Sequence, residues 1–316
     1  MGEKPSHSSE QFPETDHEIL FEEVRPPLSF HMANPAHREE VAFRVAQGEP
    51  IGIFVVQYGV VFSAEDEATT NKLLTQVKGP HRTSPIPIWI QHPREIVAAD
   101  IVDFTRIHPD LHYLFQDPSE LADRTQGLCM VKFPIKPDSA LNGTPLHSLV
   151  SDEDETGKWL LFFHAGRAFP HAQKFIERIY DGGIQLVGIS SLNVHGGVSP
   201  TSLEEAIAFC EVRNVSSFIV DRGSRFTERR GSYPIIQITH EGAMLRRLGN
   251  VPVRYLEAAG WRITGDDSAV PQPTIPPSER RDFETEMRTF SLIWEEFPEL
   301  SNLIIQTDHS SSQLKK

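Results

Sequence analysis

Apolar residues along the chain fall into short, nearly continuous runs set between stretches of helical periodicity. The runs Ile51–Val56, Leu128–Phe133, Trp159–His164, Ile184–Ile189, Ser217–Val220 and Ile235–Ile238 predict strands. The near-continuous apolar character of Ile51–Val56 implies burial on both faces, as in a sheet covered by helices. A seventh extended stretch, Pro85–Ile90, carries two prolines, which predicts an edge strand or one that enters through a bend. Helical signals lie between the runs. Asn34-Pro35 reads as a cap followed by proline at the first helical position, Val41 and Val45 share a face, and Gly48 supplies a stop. Glu65, Asp66 and Glu67 open a second helix with Leu73, Leu74 and Val77 on its apolar side. Residues 93–126 read as mainly helical and surface-lying, with Ile96, Val97, Ile101 and Phe104 inward. Pro170 opens a helix striped by Phe175, Ile176 and Ile179, and Ser202-x-x-Glu205 has the spacing of a capping box. With no strict βαβ rhythm, the expected fold class is α/β (α+β), a mixed sheet flanked by helices.

The flanks differ in character. Residues 1–33 carry Ser, Glu, Pro and His without sustained periodicity and read as a tail, with one short ordered piece near Ile19–Val24. The main domain is expected over 34–260. The acidic stretch Asp138–Lys158 reads as a solvated loop, and 261–278 as a proline-rich linker. Residues 279–316 then hold an amphipathic helix with Phe283, Met287, Phe290 and Trp294 at helical spacing, a stripe suited to packing on the parent domain or to a protein partner.

Composition narrows the function classes. The 316 residues are 39% hydrophobic and 23% charged, ordinary for a globular protein. No run approaches the roughly 18 apolar residues that span a bilayer, and the polar start lacks the features of a signal peptide, so no membrane association and a cytoplasmic location are expected. Cys129 and Cys210 sit in apolar contexts that suit buried thiols. A net charge of −14 disfavours broad nucleic-acid binding. Local arginine clusters (Arg222, Arg225, Arg229 and Arg230; Arg246 and Arg247) read either as solvated charge or as contacts to nucleotide phosphates. Gly182-Gly183 and Gly196-Gly197 match neither dinucleotide nor P-loop spacing, and His164 and His171 lack a third ligand, so no metal site of the chain's own is expected.

The most suggestive stretch is the corner at residues 186–205, where an apolar run ends in Ser190, Ser191 and Asn193, turns through Gly196 and Gly197 and enters the capped helix. Short polar side chains at a strand-to-helix corner suit a ligand; they equally suit the satisfaction of turn backbone groups.

From His37 to Leu256 the order of segments resembles the YrdC/Sua5 family. Ser191-Leu-Asn193-Val-His-Gly196, with Ser199-Pro-Thr201 and Glu204-Glu205 behind it, resembles the family's Ser-Ala-Asn-Leu-Ser-Gly stretch and following helix. Gly231-Ser232-Tyr-Pro-Ile-Ile236 resembles its Ser-Thr-Val-Val element, and Arg247-Leu-Gly249 its Arg-x-Gly. Tyr58-Gly59 matches the end of Pro-Thr-Asp-Thr-Val-Tyr-Gly, Lys78 stands in the place of the lysine of Lys-x-Arg, and Ser84-Pro85-Ile86 resembles the Lys-Pro-Leu that follows. The resemblance implies a twisted mixed sheet, here with an extra C-terminal helix. It implies a nucleotide partner, ATP with Mg2+, held by Lys78, Ser191, Asn193, Ser232 and Arg247. It also implies a substrate pocket near Tyr58, Arg82 and His195. Active members of the family make threonylcarbamoyl-adenylate from threonine, bicarbonate and ATP, the first step towards the t6A modification of tRNA.

Several motif positions depart from the family. Phe54-Val55-Val56-Gln57 replaces Pro-Thr-Asp-Thr, which removes the hydroxyl and carboxylate expected to hold an amino acid. Pro80 replaces the arginine of Lys-x-Arg, Ser84 the next lysine, Phe162-Phe163-His164 the Arg-x-Pro strand, and Gly127–Met130 has no Pro-Gly-Pro-x-Thr. Gln57, Arg82 and His195 are the candidates to stand in for lost groups. Each site residue also has a structural reading: Lys78 as a helix C-terminal charge, Arg247 as a surface cation, Tyr58 as core, His195 as a bystander. Two functions follow, a divergent relative of the synthase and a non-catalytic module that binds nucleotide, RNA or protein; catalytic residues are not assigned.

Overall fold

The computed structural model describes residues 27–55, 57–79, 86–139, 151–154, 157–194, 199–200, 202–221, 233–247, 249, 251 and 253–264. Sheet structure starts upstream of the first capped helix. Leu28–His31 forms β1, after which Asn34 accepts from Ala36 N at 3.0 Å and Pro35 sits in the first turn of α1 (Pro35–Ala46). The run after Gly48 is β2 (Ile51–Phe54), and the chain returns at once as β3 (Tyr58–Ser63). Asp66 then caps α2 (Glu67–Lys78) by accepting from Thr69 N at 2.6 Å, with Leu73, Leu74 and Val77 buried. β4 (Ile88–Trp89) is followed by three short helices, α3 (Arg94–Ala98), α4 (Tyr113–Gln116) and α5 (Pro118–Thr125).

The second half begins with β5 (Met130–Pro134), β6 (Ser151–Asp154) and β7 (Gly157–Phe163). Pro170 opens α6 (Pro170–Asp181), whose Ala172, Phe175, Ile176 and Ile179 are buried. β8 (Val187–Ser191), α7 (Leu203–Val212) and β9 (Ser217–Val220) follow. β10 (Ile235–Thr239) and β11 (Gly242–Arg247) form a hairpin, and α8 (Val253–Ala258) and β12 (Ile263–Thr264) complete the described elements.

The twelve strands among the described residues join one mixed sheet in the order β1-β9-β2-β3-β8-β4-β7-β5-β10-β11-β12, with β6 paired to β7 off this path. The α/β fold class read from the sequence is the one observed. β9 runs parallel to both β1 and β2, while β3 is antiparallel to β2 and β8. Strands β2, β3 and β8 are buried almost throughout, which explains why each is mostly apolar.

Four sequence expectations are corrected. Of the two readings of the proline-bearing stretch before Ile90, the edge strand is excluded: β4 lies inside the sheet, between β8 and β7. Residues 93–126 are mainly helical, in short helices of which Pro109 and Pro118 open two, but they are not a surface layer, for Leu114, Phe115 and Leu121 are 0% exposed. Within the acidic stretch, Ser151–Asp154 is a strand paired antiparallel to Gly157–Leu160. The strand at Ile184–Ile189 begins later and runs on through Ser190 and Ser191, because β3 supplies it with a ladder partner as far as Gly59. β3 itself has no counterpart in the sequence reading. The C-terminal amphipathic helix, most of the linker and the ordered piece at Ile19–Val24 lie outside the described residues.

Candidate functional site

The polar corner is built by three elements. β3 holds β8 in register, with Gly59 opposite Ser191, and the ladder is prolonged by Leu192 N donating to Tyr58 O at 3.1 Å. Asn193 N turns back to Ser191 O at 3.0 Å, so the chain bends as the strand ends. α2 ends at the same place. Gly79, at φ +85°, closes the helix with its N–H on Thr75 O at 3.0 Å and leaves Lys78 as the last helical residue.

Lys78 is not a solvated helix-end charge; it is 4% exposed. Its ammonium donates to the Ser191 carbonyl, to Ser191 Oγ at 3.0 Å and to Asn193 Oδ1 at 2.8 Å. Ser191 Oγ in turn donates to Asn193 Oδ1 at 2.5 Å. Lys78, Ser191 and Asn193, 113 and 115 residues apart in the chain, therefore form one hydrogen-bonded cluster. These three acceptors are neutral oxygens, and the ammonium stands at the carboxyl end of a strand, where its charge attracts an anion. The helix behind the corner has the predicted cap: Ser202 Oγ accepts from Glu205 N at 3.1 Å.

Tyr58 belongs to the core. It is 3% exposed, with its ring 4.6 Å from Phe54 and 6.1 Å from Phe218, and its hydroxyl is pushed up to about 12 by burial and then by the charge of Glu205. Alternation along β3 sends Tyr58 to the sheet face opposite that of Gly59, whose partner is Ser191. Arg247 lies at the end of β11, five strands from β8 in the sheet order, about 24 Å measured along the sheet at ~4.8 Å per strand. Its guanidinium donates to Tyr233 O from Nε at 3.0 Å and from Nη2 at 2.8 Å, and burial lowers it to about 10. Arg247 thus holds a backbone carbonyl, at a strand end distant in the sheet order from the Lys78 cluster. Arg82, His195 and Ser232 lie outside the described residues.

A second polar cluster carries no sequence motif. At the carboxyl ends of the parallel pair β4 and β7, His92 and His164 meet edge-on with ring centroids 5.8 Å apart. His164 is 3% exposed with Nδ1 at 3.2 Å from Thr125 Oγ1, and Thr125 directs its hydroxyl to Leu121 O at 3.0 Å. Burial, and then His92, lowers His164 to about 3; burial, and then Arg94, lowers His92 against the opposing pull of Asp123. Among the described residues no group of three or more His, Cys, Asp or Glu side chains is arranged to hold a metal ion. Cys129 and Cys210 are buried, and burial raises both thiols above their usual range, the condition of inert core cysteines. No helix among the described residues is long and apolar enough to cross a membrane.

No protein-family model matches the sequence, and no curated protein matches it significantly. Solved structures do match the fold. P. abyssi Sua5 complexed with L-threonine aligns over 87% of this chain and 77% of its own, with TM-score 0.55 and 17% identity. A doubly substituted variant of P. abyssi Sua5 aligns over 75% of this chain, at TM-score 0.51 and 16% identity, and the chain spans 65% of that protein's length. E. coli YciO is covered over 97% of its length by 72% of this chain, at TM-score 0.52 and 15% identity. The chain has a YrdC/Sua5-like fold.

Proposed function

We propose that the protein is a YrdC-fold nucleotide-binding protein whose phosphate-receiving corner is Lys78, Ser191 and Asn193. The observation that carries this reading is the buried ammonium of Lys78, fixed at the end of β8 by Ser191 and Asn193 oxygens. Held in this place, the ammonium attracts a polyanion electrostatically, and the Asn193 amide stands beside it. ATP with Mg2+ is the proposed ligand. The metal, held chiefly by the phosphates, would add Lewis-acid stabilisation of charge at the phosphoryl oxygens. The chain's own part is to orient those oxygens through Lys78 Nζ, Ser191 Oγ and the Asn193 amide.

The fold and this corner suit a relative of threonylcarbamoyl-adenylate synthases with altered acceptor recognition. Phe54 and Val55, 3% and 1% exposed, occupy the hairpin where the family has polar groups, and their side chains offer an amino acid no hydrogen bonds. That observation favours a second reading, a binding module that keeps the nucleotide and has lost threonylcarbamoyl transfer. RNA, a protein partner for residues 279–296 and a cytoplasmic setting remain proposals attached to either reading.

Isothermal titration calorimetry with ATP and Mg2+ tests the corner. Wild-type protein should bind, and Lys78→Met should bind at least about tenfold more weakly, the equivalent of one charge-assisted hydrogen bond of ~1.5–3 kcal/mol. Absence of binding heat in the wild type would remove the nucleotide reading. With ATP bound, pyrophosphate release on addition of bicarbonate and threonine separates the synthase from the binding module.

A further inference from the structure

Gln57 is the last residue of the hairpin loop between β2 and β3. Tyr58 follows it, and the Tyr58 carbonyl accepts from Leu192 N at 3.1 Å, while Gly59 stands opposite Ser191. Gln57 thus adjoins the end of this ladder, next to the place where the chain bends at Asn193. Gly59 has no side chain, so nothing on β3 stands between Gln57 and the level of Ser191.

Gln57 is 6% exposed, and its Oε1 is buried without a hydrogen-bond partner. A buried amide oxygen left unpaired is destabilising, and native chains retain such groups rarely and mostly where a ligand or a water completes them. An apolar residue of similar volume, such as methionine, would fill the same space without that cost. The acceptor sits one residue from the strand that fixes Ser191.

We propose that Gln57 is a specificity-determining residue. Its amide oxygen accepts a hydrogen bond from an N–H or O–H donor on the organic part of the nucleotide whose phosphates engage Lys78, Ser191 and Asn193. This inference rests on the phosphate reading of that corner. The corner supplies affinity for the anion, and Gln57 distinguishes a phosphate ester that carries a donor from a bare polyphosphate.

The test is calorimetry of wild-type protein and Gln57→Met with two probes, ATP and inorganic tripolyphosphate, together with thermal melting of both proteins. Wild type should prefer ATP to tripolyphosphate. Gln57→Met should lose about tenfold in ATP affinity, keep its tripolyphosphate affinity and melt no lower than wild type. An unchanged ATP affinity in the variant, an equal loss for both probes, or a melting temperature several degrees lower would each overturn the assignment, the last by showing a structural role. Wild-type protein that binds tripolyphosphate as tightly as ATP overturns it and leaves the corner standing; wild-type protein that binds neither removes the corner and the inference together.

Discussion

His164 sets a measurable property of the native state. Its imidazole is held neutral by burial and by His92, down to about 3, whereas in the unfolded chain it titrates near its ordinary value of 6.5. Between those values the unfolded chain binds a proton that the native protein does not, so stability is fully present above about pH 6.5 and is lost as pH falls. The slope is ~1 kcal/mol per pH unit for one such group. Asp123 and Glu95, both raised chiefly by burial, act in the opposite sense, because the native protein takes up their protons more readily than the unfolded chain. His92, also lowered chiefly by burial, acts in the same sense as His164, so the variant comparison is what separates the two. Urea midpoints at pH 7.5, 6.0 and 5.0 should fall steadily for wild type and much less for His164→Gln; parallel slopes for the two proteins would discard this account. Lys78 shows the same lesson from the basic side. The sequence offers helix-end charge and ligand as equal readings, and only the fold shows that the side chain is inside and hydrogen-bonded across more than a hundred residues.

At the scale of elements, close packing of strands against α7 depends on missing side chains. A Cβ on Gly52 would stand 2.3 Å from Phe218 Cδ2 and 3.0 Å from Cys210 Sγ, and Phe218 is only 1% exposed. Gly52→Ala should lower stability by about 1–3 kcal/mol, read as a shift of the urea midpoint at constant slope. A neutral result would mean that β9 and α7 yield more easily than their burial suggests. Continuous apolar runs make β2, β5, β7, β9 and β10 legible, and cap chemistry makes α1, α2, α6 and α7 legible, because both signals are local. β3 escapes the sequence reading since Tyr58 and Gly59 read as the end of a motif, although Val60, Val61 and Phe62 are as buried as β2. β6 escapes it because four polar residues carry no strand signal; the edge of β7 recruits them. The corner is legible as a strand-to-helix turn. Its convergence with Lys78 is legible only through the family resemblance, and the His92–His164 contact not at all, since nothing local predicts which strand ends become neighbours.

For the molecule as a whole, the sheet reaches from Leu28 to Thr264, beyond the domain limits of 34 and 260 expected from composition. β1 pairs along its length with β9, Met32 N donates to Val220 O at 2.8 Å, and Met32 is 0% exposed. A fragment of residues 27–264 should melt close to the full chain and bind ATP equally well, whereas one of residues 34–264, stripped of β1 and Met32, should melt several degrees lower. Differential scanning calorimetry of the two fragments decides the point, and equal melting temperatures would show β1 to be dispensable.

The placement of β9 between β1 and β2 also imposes an order on folding. Both neighbours come from the first 54 residues, yet the strand that joins them is Ser217–Val220. Closing contacts across some 165 or more residues is entropically slow. As the chain leaves the ribosome, the β2–β3 hairpin can form early, but the β2 edge has no partner until most of the protein has been made. At the ~5–20 residues per second of translation, that edge stays open for about ten seconds or longer. Gly52 in the middle of β2 has a use here as well, since an interrupted apolar strand is a poorer template for stray pairing while it waits for β9.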